Sequence, residues 1–90
     1  MNKNDFVREV ATRTGLSIKD TGIVFNTMVD VLVEGINRDE RVAFAGFGTF
    51  SKKYRKARTG RNPLTGEQVS IPASRVPGFK AGKTFKNSIN

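Results

Sequence analysis

Apolar residues recur every three or four positions from the start of the chain. Phe6, Val7, Val10, Ala11 and Thr14 line one face, so the spacing predicts a helix over residues 3–14. Asn2, with Asp5 three positions on, is a capping pair, and Gly15 stands where a left-handed C-cap belongs. Ser17 and Asp20 repeat the capping pattern ahead of a second helix. From Ile18 to Asn37, ten of twenty residues are Ile, Val, Leu, Phe or Met. Phe25, Met28, Val29, Leu32 and Ile36 form one line, while Val24, Val31 and Val33 spill onto its neighbours. That stripe is too wide for a helix with a single buried side. So little other chain remains to wrap it that contact with a second chain is the expectation. Gly22 inside this helix costs about 1 kcal/mol relative to alanine and is expected to mark a close helix contact.

After Asn37 the period changes. Residues 41–45 read as a strand with Val42 and Phe44 on one face, and Gly46-Phe47-Gly48 as a tight turn. A second strand starts at Thr49, with Phe47 and Phe50 expected in the core. It then loses its apolar side, with Lys52, Tyr54, Lys56 and Arg58 in one alternating set and Lys53, Arg55 and Ala57 in the other. A strand charged on both faces does not lie on a hydrophobic layer. Asn62-Pro63-Leu64-Thr65-Gly66 is a turn by its chemistry, and Glu67 to Val76 returns as a strand with Val69, Ile71 and Ala73 alternating. Pro72 is tolerated there because a two-stranded ribbon is all edge. Residues 52–75 are therefore expected to form a projecting hairpin arm; the alternative is a disordered basic loop. Phe79 is a core expectation, and a short helix is expected from Lys83, with Phe85 and Ile89 on one side and Lys86 on the other.

Charge sharpens this picture. The chain of 90 residues carries a net charge of +8. Residues 1–40 have five Lys/Arg against seven Asp/Glu, a balance of −2; residues 41–90 have eleven against Glu67 alone, a balance of +10. A mildly acidic half joined to a strongly basic one is the footprint of a polyanion binder. Solubility, the plain alternative, does not need one-sided charge. With neither cysteine nor histidine, disulfides, thiolate metal sites and the commonest general base are missing. No segment reads as a membrane span or a signal peptide, so a cytoplasmic protein without membrane contact is expected.

The motifs that could carry chemistry mostly fail. Gly78 to Thr84 resembles a phosphate-binding loop but has three residues, not four, between Gly78 and Gly82-Lys83-Thr84. Gly46-Phe47-Gly48 begins like a dinucleotide fingerprint whose third glycine would fall at Ser51. The carboxylate pairs Asp5/Glu9 and Asp30/Glu34 read as solvated helix faces. No catalytic residue, cofactor or metal is expected, and the chain does not read as an enzyme. What remains is the arm. Arg55, Lys56, Arg58 and Arg61 lie along a thin element suited to phosphates and to a narrow minor groove. Pro63 at its end is either a wedge for a base step or only a shaper of the turn.

"GFGTF" at 46–50, "RTGRNPLTGE" at 58–67, "IPASRVPGFKAGK" at 71–83 and the two capped helices resemble the bacterial histone-like DNA-binding proteins, the HU/IHF family. The resemblance covers essentially the whole chain. It implies an α+β fold: two N-terminal helices, a three-stranded antiparallel sheet with a long β-hairpin arm, and a short C-terminal helix, in an intertwined homodimer. It also implies one domain over 1–90, with 1–51 and 76–90 as the dimerisation body and 52–75 as the arm. By resemblance the partners are double-stranded DNA and a second copy of the chain. The arm contacts would be Arg55, Arg58, Arg61, Asn62 and Pro63, with Pro63 inserting at a base step; Lys3, Lys80, Lys83 and Lys86 are the body candidates.

This chain departs from the family pattern at Ala81, often proline, at Gly78, often alanine, and at Leu64, commonly polar. Ala81 and Gly78 are expected to loosen the approach to the last helix, and Leu64 either enlarges the apolar wedge or is merely exposed. The expected function is sequence-tolerant bending and compaction of duplex DNA at the nucleoid, since no helix offers outward base-reading residues. The alternatives are an IHF-like, site-selective subunit with a different partner, and a structural RNA-binding module.

Overall fold

The computed structural model describes residues 1–39 and 41–90. Helix α1 spans Lys3–Thr14, the predicted range, because both ends are specified locally. The Asn2 side chain accepts from the Asp5 amide at 2.9 Å, and the Asp5 carboxylate accepts from the Asn2 amide at 3.2 Å. These bonds satisfy two amides that a helix start otherwise leaves orphaned. Gly15 closes the helix at φ 75°, its amide donating to the Ala11 carbonyl at 2.9 Å. Helix α2 spans Ile18–Asp39, two residues beyond the expected end, and the Asp20 amide donates to the Ser17 hydroxyl oxygen at 3.0 Å. The paired carboxylates of α1 have structural work: Asp5 caps the helix, and Glu9 accepts from Arg13 at 3.0 Å.

The chain divides into two compact units, Met1–Glu34 and Gly35–Asn90. In the first, Val7, Ala11 and Thr21 are buried, and the Thr21 hydroxyl donates to the Ser17 carbonyl at 2.7 Å. Phe6 and Phe25 meet edge to face, with ring centroids 5.7 Å apart. Ile23, Val24, Met28, Val29, Val31 and Val33 are exposed on the single chain. The expectation for Gly22 is not met within the chain: a Cβ built there meets nothing within 4 Å.

The second unit carries β1 (Arg41–Phe44), β2 (Gly48–Arg55), β3 (Arg58–Arg61), β4 (Gln68–Ile71), β5 (Ser74–Ala81) and α3 (Lys83–Ile89). β1, β2 and β5 form an antiparallel sheet in the order β1-β2-β5, and β3 pairs with β4 in a separate two-stranded ribbon. The expected strand from Glu67 to Val76 is thus broken at Pro72-Ala73, opposite an unpaired Lys56-Ala57. Proline has no amide for the ladder, so pairing stops where Pro72 would have to donate. Pro77 is accommodated within β5, opposite Lys52, because β5 is an edge strand.

Five phenylalanines gather on one side of this sheet. Phe47 stacks on Phe85 at 5.1 Å and contacts Phe79 at 5.2 Å, while Phe50 lies 4.7 Å from Phe79 and 6.0 Å from Phe44. The core expectation for Phe47, Phe50 and Phe79 holds for their mutual packing but not for burial in a single chain. Phe47 stays 43% and Phe79 40% exposed, because within this unit only the seven-residue α3 and the end of α2 are available to cover three strands. Gly48 fits under this cluster because it has no side chain: a Cβ there would lie 2.6 Å from both the Lys80 carbonyl and the Phe79 ring. The approach to α3 is tied at Gly82, whose amide donates to the Phe47 carbonyl at 2.8 Å.

Lys52, expected to open the charged arm, is instead half-buried and donates from its ammonium to the Asn37 carbonyl at 3.1 Å. That carbonyl is one of the last four of α2, which lack partners within a helix, and a cation there also meets the negative end of the helix dipole. Lys52→Met is expected to lower the unfolding free energy by about 1 kcal/mol, read as a shift of the urea midpoint at constant slope; an unchanged midpoint would mean that the bond contributes nothing net.

Candidate nucleic-acid interface

Register determines which charges share a surface, since alternate residues of a strand face opposite ways. Val42, Phe44, Phe50, Phe79 and Tyr54 occupy the phenylalanine side of the sheet, because Val42 pairs with Phe50, Phe50 with Phe79 and Tyr54 with Arg75. The other side holds Arg41, Lys53, Arg55 and Lys80, paired with Ser51, Val76, Ser74 and Thr49 respectively. Ala43 and Gly78 complete it, opposite Thr49 and Ser51. Cations interleaved with small side chains make a surface onto which a polyanion can settle without steric obstruction. Gly78 contributes directly: a Cβ there would lie 2.7 Å from the Lys53 Cε, so the lysine stem lies across the bare glycine.

Beyond Arg55 the ribbon resumes at Arg58. The joint forms a concavity of about 480 Å3 lined by Arg55, Lys56, Arg58, Ile71, Pro72 and Ser74. In the outer ribbon Arg58 pairs with Ile71 and Arg61 with Gln68, three residues apart along β3, so the two arginines project from opposite faces. Gly60 shares the face of Arg58 and is roofed by Ile71, whose Cδ1 would lie 2.9 Å from a Cβ built there. The ribbon thus offers a guanidinium on each side, and both arginines are exposed.

The tip is held by its own hydrogen bonds. The Asn62 amide donates to the Glu67 carbonyl at 2.8 Å, and the Gly66 amide to the Asn62 carbonyl at 2.8 Å. The Asn62 side-chain oxygen accepts from the Leu64 amide at 2.9 Å, and Gly66 takes φ 72°. Asn62, expected as a DNA contact, therefore has its oxygen engaged in shaping the turn. Pro63 and Leu64 are both exposed at its apex.

The remaining expected residues lie elsewhere. Lys3 belongs to the unit Met1–Glu34, with its ammonium 5.7 Å from the centre of the Phe25 ring. Lys80 is on the cationic side of the sheet. Lys83 and Lys86 are exposed on α3 and, three residues apart, are neighbours on its surface. Sequence reasoning left out Arg41 and Lys53 on the cationic side, whose signal was the strand alternation; Arg75 lies on the other side, its guanidinium 5.5 Å from the centre of the cross-strand Tyr54 ring.

Against known proteins, the model of the family described as bacterial DNA-binding protein matches residues 1–90. The chain belongs to this family. It is 46% identical over 89 residues to the DNA-binding protein HU-1 of Halalkalibacterium halodurans, covering 99% of each chain. It is 47% identical over 88 residues to the HU of Lactococcus lactis, covering 98% of this chain and 97% of that one. The cocrystal structure of Anabaena HU with DNA superposes with a TM-score of 0.91 at 39% identity, covering 99% of this chain and 97% of that one. The α+β architecture of HU, three helices with an antiparallel sheet and hairpin strands, is therefore the architecture of this chain. Within that HU framework, Leu64 is exposed at the tip and Gly78 lies beneath Lys53.

Proposed function

We propose that this HU-family chain is a sequence-tolerant architectural protein that bends and compacts duplex DNA at the nucleoid, acting as an intertwined homodimer. The observation that carries the reading is the outer ribbon: separate from the main sheet, exposed almost throughout, and cationic on both faces. Such an element has no core to serve. A groove with phosphates along both walls accounts for a guanidinium on each side. The body comprises 1–51 and 76–90, and 52–75 is the arm, with Lys52 as the boundary residue tied to α2. A second copy would cover the apolar residues that the single chain leaves open on α2 and around Phe47 and Phe79.

In this reading Arg55, Arg58 and Arg61 neutralise phosphates along the minor groove, Asn62 sets the tip, and Pro63 enters a base step. Lys3, Lys80, Lys83 and Lys86 meet the backbone of the flanking duplex. Bending a short site costs on the order of 1–6 kcal/mol, and unstacking a step adds a few more. Released counterions and added phosphate contacts must offset that. With about six phosphates neutralised by the arginines of the two arms alone, log K falls with log salt at a slope near −5, and the body lysines steepen it further.

The test is binding to random-sequence duplex, with A-form RNA as competitor, alongside sedimentation to establish the dimer. Equal affinity for unrelated sequences and weak competition by RNA are expected. Strong dependence on one sequence would instead indicate a site-selective subunit, and preference for the RNA a different partner class. Pro63→Ala is expected to reduce the bend, measured by energy transfer between duplex ends, far more than the affinity. An unchanged bend would remove the wedge role.

A further inference from the structure

We infer that Leu64 is a second apolar element of the arm tip, which buries itself against the opened base step beside Pro63 and so determines how strongly the arm holds a kinked duplex. The inference rests on the DNA-bending reading above. Leu64 is 94% exposed, on an arm otherwise built of charged, polar and small residues near its apex. Its place at the apex follows from the turn: the Leu64 amide is tied to the Asn62 side chain at 2.9 Å, and Asn62 is tied to Glu67 and Gly66 at 2.8 Å each. The leucine is therefore carried at the apex on a preorganised backbone, adjacent in the chain to the proline ring. Nothing in the fold requires an aliphatic side chain there.

The chemistry of an opened base step suits it. Unstacking exposes the flat apolar face of a base pair, and the pyrrolidine ring alone is too small to cover it. A leucine beside the proline covers more of that face and of the neighbouring deoxyribose carbons. Burial of an aliphatic side chain is favourable in proportion to the area removed from water, and the turn is already ordered, so little entropy is lost on docking. Leu64 carries no charge, so its contribution is independent of salt, unlike that of the arginines on the ribbon.

Leu64→Gln and Leu64→Met in the full chain separate this role from the alternatives. Binding is measured to an intact duplex and to one with a single-nucleotide gap, each at two salt concentrations. Leu64→Gln is expected to lose at least about tenfold in affinity for both duplexes, with the salt slope unchanged, while Leu64→Met stays close to the parent. Parent-like binding by Leu64→Gln would overturn the inference, as would a loss that appears only as a changed salt slope. Failure of the parent chain itself to bind either duplex would instead strike the DNA-bending reading, before Leu64 is in question.

Discussion

Replacing Arg58 and Arg61 together by alanine will flatten the salt dependence of duplex binding by about 3.6 in the slope of log K against log salt. The two side chains project from opposite faces of a ribbon only four residue pairs long. On the proposed reading each substitution removes a separate phosphate contact, and a homodimer with two arms would lose about four. At 0.1 M salt the lost counterion release alone, reckoned against 1 M, corresponds to about four thousandfold in affinity. The fold should be untouched, because both residues are exposed and sit outside the three-stranded sheet. Titrations of the parent and the double variant at four salt concentrations give both quantities. A slope that does not move would show that these guanidinium groups meet no phosphate, whatever happens to the affinity.

Gly48→Ala is expected to destabilise the fold by about 3 kcal/mol. Two neighbours stand 2.6 Å from the added Cβ, the Lys80 carbonyl and the Phe79 ring. Neither can yield cheaply. The carbonyl belongs to the β5 backbone, paired directly with β2, and the ring packs against Phe47, Phe50 and Phe85. Gly78→Ala makes the instructive comparison, because the atom 2.7 Å from its added Cβ is the far end of the Lys53 stem. That stem swings aside, so a change of less than about 0.5 kcal/mol is expected. Urea denaturation at fixed protein concentration compares the two, since in the proposed homodimer stability would depend on concentration. Equal losses at both positions would mean that the Phe79 cluster has room to move.

Both predictions depend on packing between strands, and there the sequence was less informative than along the helices. The ends of α1 could be read from Asn2, Asp5 and Gly15, because a cap is a contact between residues three or four apart. The same holds for the tip, where Asn62, Pro63 and Gly66 specify a turn through their own backbone preferences. The charge division between the halves was equally plain, and the resemblance named the family. Lys52 was harder. Its neighbours in sequence are cations of the arm, yet its ammonium is bound to Asn37, a residue fifteen positions earlier. Pro72 was read as an edge residue of a continuous strand, whereas its missing amide ends one ladder and leaves a joint.

What the sequence by itself determined is therefore local: two capped helices, a shaped turn, an apolar surplus on α2, and a cationic C-terminal half. Spacing and backbone preference act within a few residues, so one chain segment carries the whole signal. The tertiary structure decided the rest. Register placed Arg41, Lys53, Arg55 and Lys80 on one side of the sheet, and it turned Arg58 and Arg61 to opposite faces of the ribbon. A shift of one residue would exchange the two sides and carry Phe50 and Phe79 off the phenylalanine side, a pairing between positions twenty-nine residues apart.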